Sequence, residues 1–253
     1  MKIRSLALPA ALVAGLAIPG TAQAAFLSLG FDSLPTAQGW TYSATGTGAG
    51  IPQSQVFTAT GTSLIQDTRG TGIGESGQNL FQRAVSLTPF QRFNLTMVAR
   101  VTETEGTSGR ARVGFSFGLS TSEGLYQFGI SRDGYARVES VGTVQTGSLG
   151  PDYDPDVFNT FTLRRGIGSV VLEANGVFLL AFESQYNLGI DRLLLGDGSG
   201  PGNARAEIQS YVFQTEGRGG LLPEPASWAM LVGGFGVVGG AMRTRRRTAS
   251  ITA

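Results

Sequence analysis

The 253-residue sequence contains no cysteine and no histidine. Its single lysine, Lys2, lies in a segment expected to be removed, so the mature chain holds no Cys, His or Lys. Without cysteine there is no disulfide framework and no thiolate nucleophile. Without histidine there is no Ser-His-Asp triad and no zinc site of the usual kind. Without lysine there is no P-loop cation and no Schiff base. Charged residues make up only 15% of the chain. What is abundant is glycine, with 38 residues, and hydrophobic side chains, at 41%. The latter suffice for a large buried core. Carboxylates, hydroxyls and arginine are the chemistry that remains. On that inventory the chain is expected not to be an enzyme.

The two ends read as targeting segments. Lys2 and Arg4 precede an uncharged apolar run from Leu6 to Ile18, and Ala22-Gln23-Ala24 is a small-x-small cleavage site. This is the pattern of a secretory signal peptide over residues 1–24, with Ala25 as the mature N-terminus. It implies signal peptidase and the general secretion machinery as partners. A membrane anchor is the alternative, but the run is short for a span.

Near the other end, 18 uncharged residues run from Pro225 to Met242. At ~1.5 Å per residue they reach roughly 27 Å as a helix, enough for a bilayer core. Arg243, Arg245, Arg246 and Arg247 follow, and by the positive-inside rule they stay in the cytoplasm. The preceding domain then lies across the membrane, as the signal peptide also requires. A buried core helix with a basic tail is the alternative. Pro223-Glu224-Pro225 keeps the backbone before this helix extended, and Trp228 falls where an interfacial anchor belongs.

The tail, from Pro223-Glu224-Pro225 through Trp228-Ala229 to Arg247, resembles the PEP-CTERM sorting signal in its PEPxxWA variant. Motif, apolar helix and arginine cluster match in order. The resemblance implies recognition by an exosortase-type membrane processing enzyme at Pro223-Glu224-Pro225. Transient anchoring in the inner membrane follows, then delivery to the cell surface or an extracellular polymer layer.

Residues 25–222 hold 13 Arg against 17 Asp plus Glu, a net charge of −4. No basic stripe remains, so nucleic acid is not an expected partner. Period-two alternation recurs here. Phe93, Leu95, Met97, Ala99 and Val101 share one face of a strand, and Val113, Phe115, Phe117 and Leu119 share another. Arg132-Asp133-Gly134 marks a turn, and Asn175-Gly176 is a strong hairpin signal. Val177 to Phe182 is apolar on both faces and is expected to be a central strand. Leu193 to Leu195 and Ala206 to Gln214 are expected to close the fold. The expected class is all-β, an antiparallel jelly-roll sandwich spanning residues 25–222. Phe158 to Leu163 followed by Val170 to Gly176 resembles the second half of laminin-G or concanavalin A-like domains, and immunoglobulin-like pairs are the competing architecture.

Candidate sites are few. Asp152, Asp154 and Asp156 alternate in one loop, and oxygen-rich loops can bind Ca²⁺. A solvated turn is the favoured reading of them, since Asp and Pro suit turn geometry. The domain is expected to fold without a cofactor, calcium at these three residues being the one candidate. Glu103 and Glu105 have the spacing of a strand-borne acid pair, but a turn follows at once. Trp40, Tyr42, Tyr153 and Tyr186 could offer stacking faces to sugars, or could pack on the core. The resulting expectation is an exported sandwich that acts in binding or adhesion, with exopolysaccharide as its partner. A carboxylate-based glycoside hydrolase and a purely structural matrix protein are the rivals.

Overall fold

The computed structural model describes residues 24–71, 77–89, 91–105, 114–140, 143–166, 169–182, 189–198 and 202–216. Among them no helix is long and apolar enough to cross a membrane. The signal segment up to residue 23 lies outside the described residues. So does the sorting tail with Pro223, Glu224, Pro225, Trp228, Arg243, Arg245, Arg246 and Arg247.

Residues 24–216 form the β-sandwich that the alternation predicts. Fifteen strands follow one another: β1 (Phe26–Ser28), β2 (Thr41–Thr45), β3 (Phe57–Ala59), β4 (Leu64–Asp67), β5 (Gln78–Ala84), β6 (Phe93–Glu105), β7 (Ser116–Thr121), β8 (Gly124–Ile130), β9 (Tyr135–Ser140), β10 (Thr143–Ser148), β11 (Asn159–Arg165), β12 (Val170–Ala174), β13 (Val177–Phe182), β14 (Arg192–Asp197) and β15 (Asn203–Thr215). The described helices are single turns, such as Gln53–Val56. One sheet has the order β13-β12-β11-β6-β15-β4-β3, with β1 also on β15. The other has the order β10-β9-β8-β7-β14-β5-β2. Every pairing is antiparallel. The chain passes repeatedly between the sheets, from β1 to β2, β2 to β3, β4 to β5, β5 to β6, β6 to β7, β10 to β11, β13 to β14 and β14 to β15, which is the jelly-roll manner of winding.

The core lies between the sheets and follows the two-residue period. Phe93, Leu95, Met97, Ala99 and Val101 of β6 are buried, with exposed or half-buried residues between them. They face Phe117 and Leu119 of β7, Phe128 of β8, and Leu193 and Leu195 of β14, all fully enclosed. Each such side chain contributes about 1.5–3 kcal/mol through removal from water. Aromatic rings interlock at the centre, Phe57 and Phe81 at 4.5 Å and Phe117 and Phe128 at 5.7 Å between centroids.

The hairpin at Asn175-Gly176 forms as expected. Both residues take positive φ, 50° and 78°, as a two-residue turn of this handedness requires. The strand after it differs from expectation. β13 is the edge of its sheet, and Val177 and Phe178 are 47% and 58% exposed. Apolarity on both faces does not place it centrally, because the 13-residue strands β6 and β15 pair along their whole length and take the middle. β14 and β15, late in the chain, are also interior strands in space.

Candidate functional site

The two outer faces of the sandwich differ in chemistry. On the β6 sheet, long charged side chains pair with one another. Arg100 meets Glu207 at 2.7 Å, Arg164 meets Glu173 at 2.6 Å, and Asp67 receives both Arg69 at 2.8 Å and Arg205 at 3.6 Å. The Arg69 hydrogen bond holds the Asp67 carboxyl below its usual range. Partial burial pushes Glu207 up, but its hydrogen bonds from Arg100 and Ser63 outweigh this and leave it lowered. This face satisfies its own charges.

Between β5 and β8 the outer face of the β7 sheet is built mainly from small and neutral groups, with Arg192 at one end. Phe117 and Leu119 point inward, so Ser116, Gly118 and Ser120 take the outer side of β7. Register extends these positions across the sheet. One row runs Thr41, Gln82, Leu194, Gly118, Gln127. A second runs Ser43, Leu80, Gly196, Ser116, Gly129. Ser116 and Ser120 are 5% and 0% exposed despite their outward position. Leu80 and Leu194 are also buried, yet neither belongs to the main core. These residues therefore form the buried floor of this face. The Gln127 amide donates to the Ser116 hydroxyl at 2.9 Å, and that hydroxyl donates to the Gly196 carbonyl at 2.8 Å. Gly198 packs against both side chains.

At the end of this face, Arg192 stands opposite Ser120 across β14 and β7. Its Nη1 donates to Gln82 Oε1 at 2.5 Å. Its Nε and the Ser120 hydroxyl are enclosed without a hydrogen-bond partner. Among the described residues no carboxylate pairs with Arg192 or Arg83, whereas Arg69, Arg92, Arg100, Arg132, Arg164, Arg165 and Arg205 all have one.

The residues singled out from sequence lie elsewhere. Asp152, Asp154 and Asp156 share a loop but do not gather: among the described residues no group of three potential metal ligands is found. Asp154 Oδ1 accepts the Asp156 amide at 2.9 Å, and Asp156 pairs with Arg132 at 2.9 Å. The Asx-type turn and the ion pair account for two of the three acids without a metal. Glu103 and Glu105 extend past the core at the end of β6, and Glu103 is held by Arg69. Trp40 is 4% exposed and edge-on to Tyr211. Tyr42 packs on Phe57 and Phe81, and Tyr153 on Phe161. Burial raises both phenols' pKa, which marks these rings as packing groups and not platforms. Tyr186 lies outside the described residues. Ala25, at the expected cleavage point, donates its backbone nitrogen to Thr215 Oγ1 at 2.9 Å and accepts from the Thr215 amide at 2.9 Å. Sequence reasoning missed Gln82, Ser120, Gln127 and Arg192. The Gly and Ser positions between Phe117 and Leu119 are visible in the sequence, but only as the polar side of a strand.

No family model and no curated relative matches the chain. Solved structures do match. One from a study of endo-acting O-glycanases of human gut microbiota has TM-score 0.50 at 12% identity, covering 75% of this chain and 98% of that one. A galectin-like protein of unknown function from Bacillus subtilis has TM-score 0.49 at 12% identity, covering 75% and 96%. The polysaccharide lyase family 7 alginate lyase AlgAT5 has TM-score 0.46 at 12% identity, covering 72% and 96%.

This corrects the expectation of a non-enzyme. The O-glycanase likeness means that the fold is one that carbohydrate-cleaving enzymes use. Cleaving a glycosidic bond takes two carboxylates in the usual case and needs no Cys, His or Lys, so the missing residues do not bear on it. At this identity the likeness establishes the fold: an antiparallel jelly-roll β-sandwich.

Proposed function

We propose that this chain is an exported protein of the cell surface or extracellular matrix whose sandwich engages polysaccharide on the outer face of the β7 sheet. The contrast between the two outer faces carries this reading. A sugar chain presents many hydroxyls and apolar C–H edges. The half-buried amides of Gln82 and Gln127 answer the first, and half-buried Leu125 the second. Gly129, without a side chain, lets a ligand come close to the backbone. The ends of the chain supply delivery: a signal peptide, then a PEP-CTERM-like tail for an exosortase-type enzyme.

The test is retention of the full chain, in detergent, on an array of polysaccharides. The double substitution Gln82→Ala, Gln127→Ala is expected to weaken retention at least about tenfold, as the loss of two hydrogen-bonding groups implies. Arg164→Gln on the opposite sheet should have no effect. No retention on any polysaccharide overturns the proposal.

Cleavage of the bound glycan is a second reading, favoured by the fold shared with the O-glycanase structure. Release of reducing ends from the retained polysaccharide is the expected outcome under that reading, and retention without release overturns it.

A further inference from the structure

We infer that Arg192, with Ser120 and Gln82, forms a subsite for the carboxylate of an acidic sugar; this deepens the polysaccharide reading and rests on it. Three observations converge. Among the described residues Arg192 has no acidic partner, although most of the arginines do. Domain charge does not explain this, since acids outnumber arginines in residues 25–222. The Gln82 carbonyl oxygen takes only one guanidinium N–H, through Nη1 at 2.5 Å, and so fixes the plane of the group. The opposite edge, Nε and Nη2, is the fork that matches a carboxylate in bidentate fashion. Finally, the Ser120 hydroxyl is fully buried, unpartnered, and in register with Arg192.

An enclosed donor without a partner costs roughly 1–3 kcal/mol. Arg192 Nε and Ser120 Oγ are two such donors, on paired positions of neighbouring strands. The charge selects an anion, and the fork selects a planar one. The row of amides and glycines beside it suits a chain of sugars. A uronic acid unit joins these properties. Arg192 is partly exposed, so its guanidinium can meet the ligand at the surface while Nε and Ser120 Oγ gain an acceptor as it settles.

The probes are polygalacturonate and the same polymer after reduction of its carboxyl groups to alcohols. Binding to the full chain in detergent is measured by titration calorimetry. Wild type should bind the acidic polymer at least about tenfold more tightly than the reduced one, as a charge-assisted bidentate contact implies. Arg192→Gln should lose that preference while keeping its affinity for the reduced polymer. Arg192→Lys should lose most of it, because an ammonium keeps the charge but not the fork. Arg164→Gln should keep it, and unchanged melting curves show that each variant is folded. Equal preference in wild type and Arg192→Gln overturns the subsite while leaving polysaccharide binding intact. Loss of binding to both polymers in wild type overturns both readings together.

Discussion

Asn175 donates from its side-chain amide to Oδ1 of Asn159 at 2.9 Å, and the two asparagines between them hold the acidic loop 152–157 from beneath. Asn159 Nδ2 donates to the carbonyls of Asp154 and Val157 at 2.7 and 2.9 Å, and Asn175 Nδ2 donates to that of Asp152 at 3.1 Å. Neutral amides thus do here what an ion does in other loops: they gather carbonyl oxygens around a centre.

Asn159 is buried, so replacing it with alanine leaves those carbonyls without a donor. Asn159→Ala should lower unfolding free energy by about 1–3 kcal/mol in a denaturant titration. Chelation should leave the melting temperature of the wild type unchanged, because the amides hold the loop. A rise of several degrees on adding millimolar calcium would return Asp152, Asp154 and Asp156 to the role of ligands.

Acid should destabilise the sandwich through the ion-paired face. Asp67 and Glu207 both have lowered pKa values in the folded state. Such groups add stability above their unfolded values, near ~4, and that stability is lost as pH falls through the lower folded values. Melting temperature should therefore drop as pH is taken from about 5 towards 2. Glu207→Gln should melt lower at pH 7 and show a shallower fall in acid. A parallel pH profile in the variant would remove Glu207 as a source of the effect.

Gly118 is required by close packing. A Cβ there would run into the Tyr126 carbonyl and lie 2.8 Å from Gln127 Cα, and backbone of a paired strand cannot move aside. Gly118→Ala should cost about 1–3 kcal/mol. Gly166 has nothing within 4 Å of such an atom and no positive φ, so Gly166→Ala serves as the neutral control. Equal melting of the two variants would contradict this account of β7 and β8.

The tail should act as a processing signal beyond its hydrophobicity. Apolar length holds a chain in the membrane and arginines orient it, and neither needs Glu224. Glu224→Ala should leave insertion intact and block maturation, so that full-length protein accumulates in the inner membrane of a host with the processing enzyme. Removing Arg243, Arg245, Arg246 and Arg247 should disturb orientation first. Fractionation with an epitope tag in the sandwich distinguishes them. Surface delivery of the Glu224 variant at the wild-type rate and length would reduce the tail to an anchor.

The sequence by itself determined which residues of a strand face the core. Alternation from Phe93 to Val101 set the inner side of β6, and Asn175-Gly176 set the hairpin of β12 and β13, because side-chain period and turn conformation are local properties. Only the tertiary structure decided which strands are neighbours. Val177 to Phe182 reads as a central strand and is an edge, since the sheet's order depends on long pairings such as β6 with β15 that leave no local trace. The candidate surface follows the same division. Ser116, Gly118 and Ser120 are legible as the polar side of β7. Arg192 and Gln82 become their neighbours only through strand pairing, across more than 70 and more than 30 residues of chain. The acidic loop shows the reverse case: three alternating aspartates look like one site in sequence. In space Arg132, from the turn between β8 and β9, takes Asp156, and Asn159 and Asn175 take the loop's carbonyls, because partners in a sandwich are chosen by proximity and not by spacing.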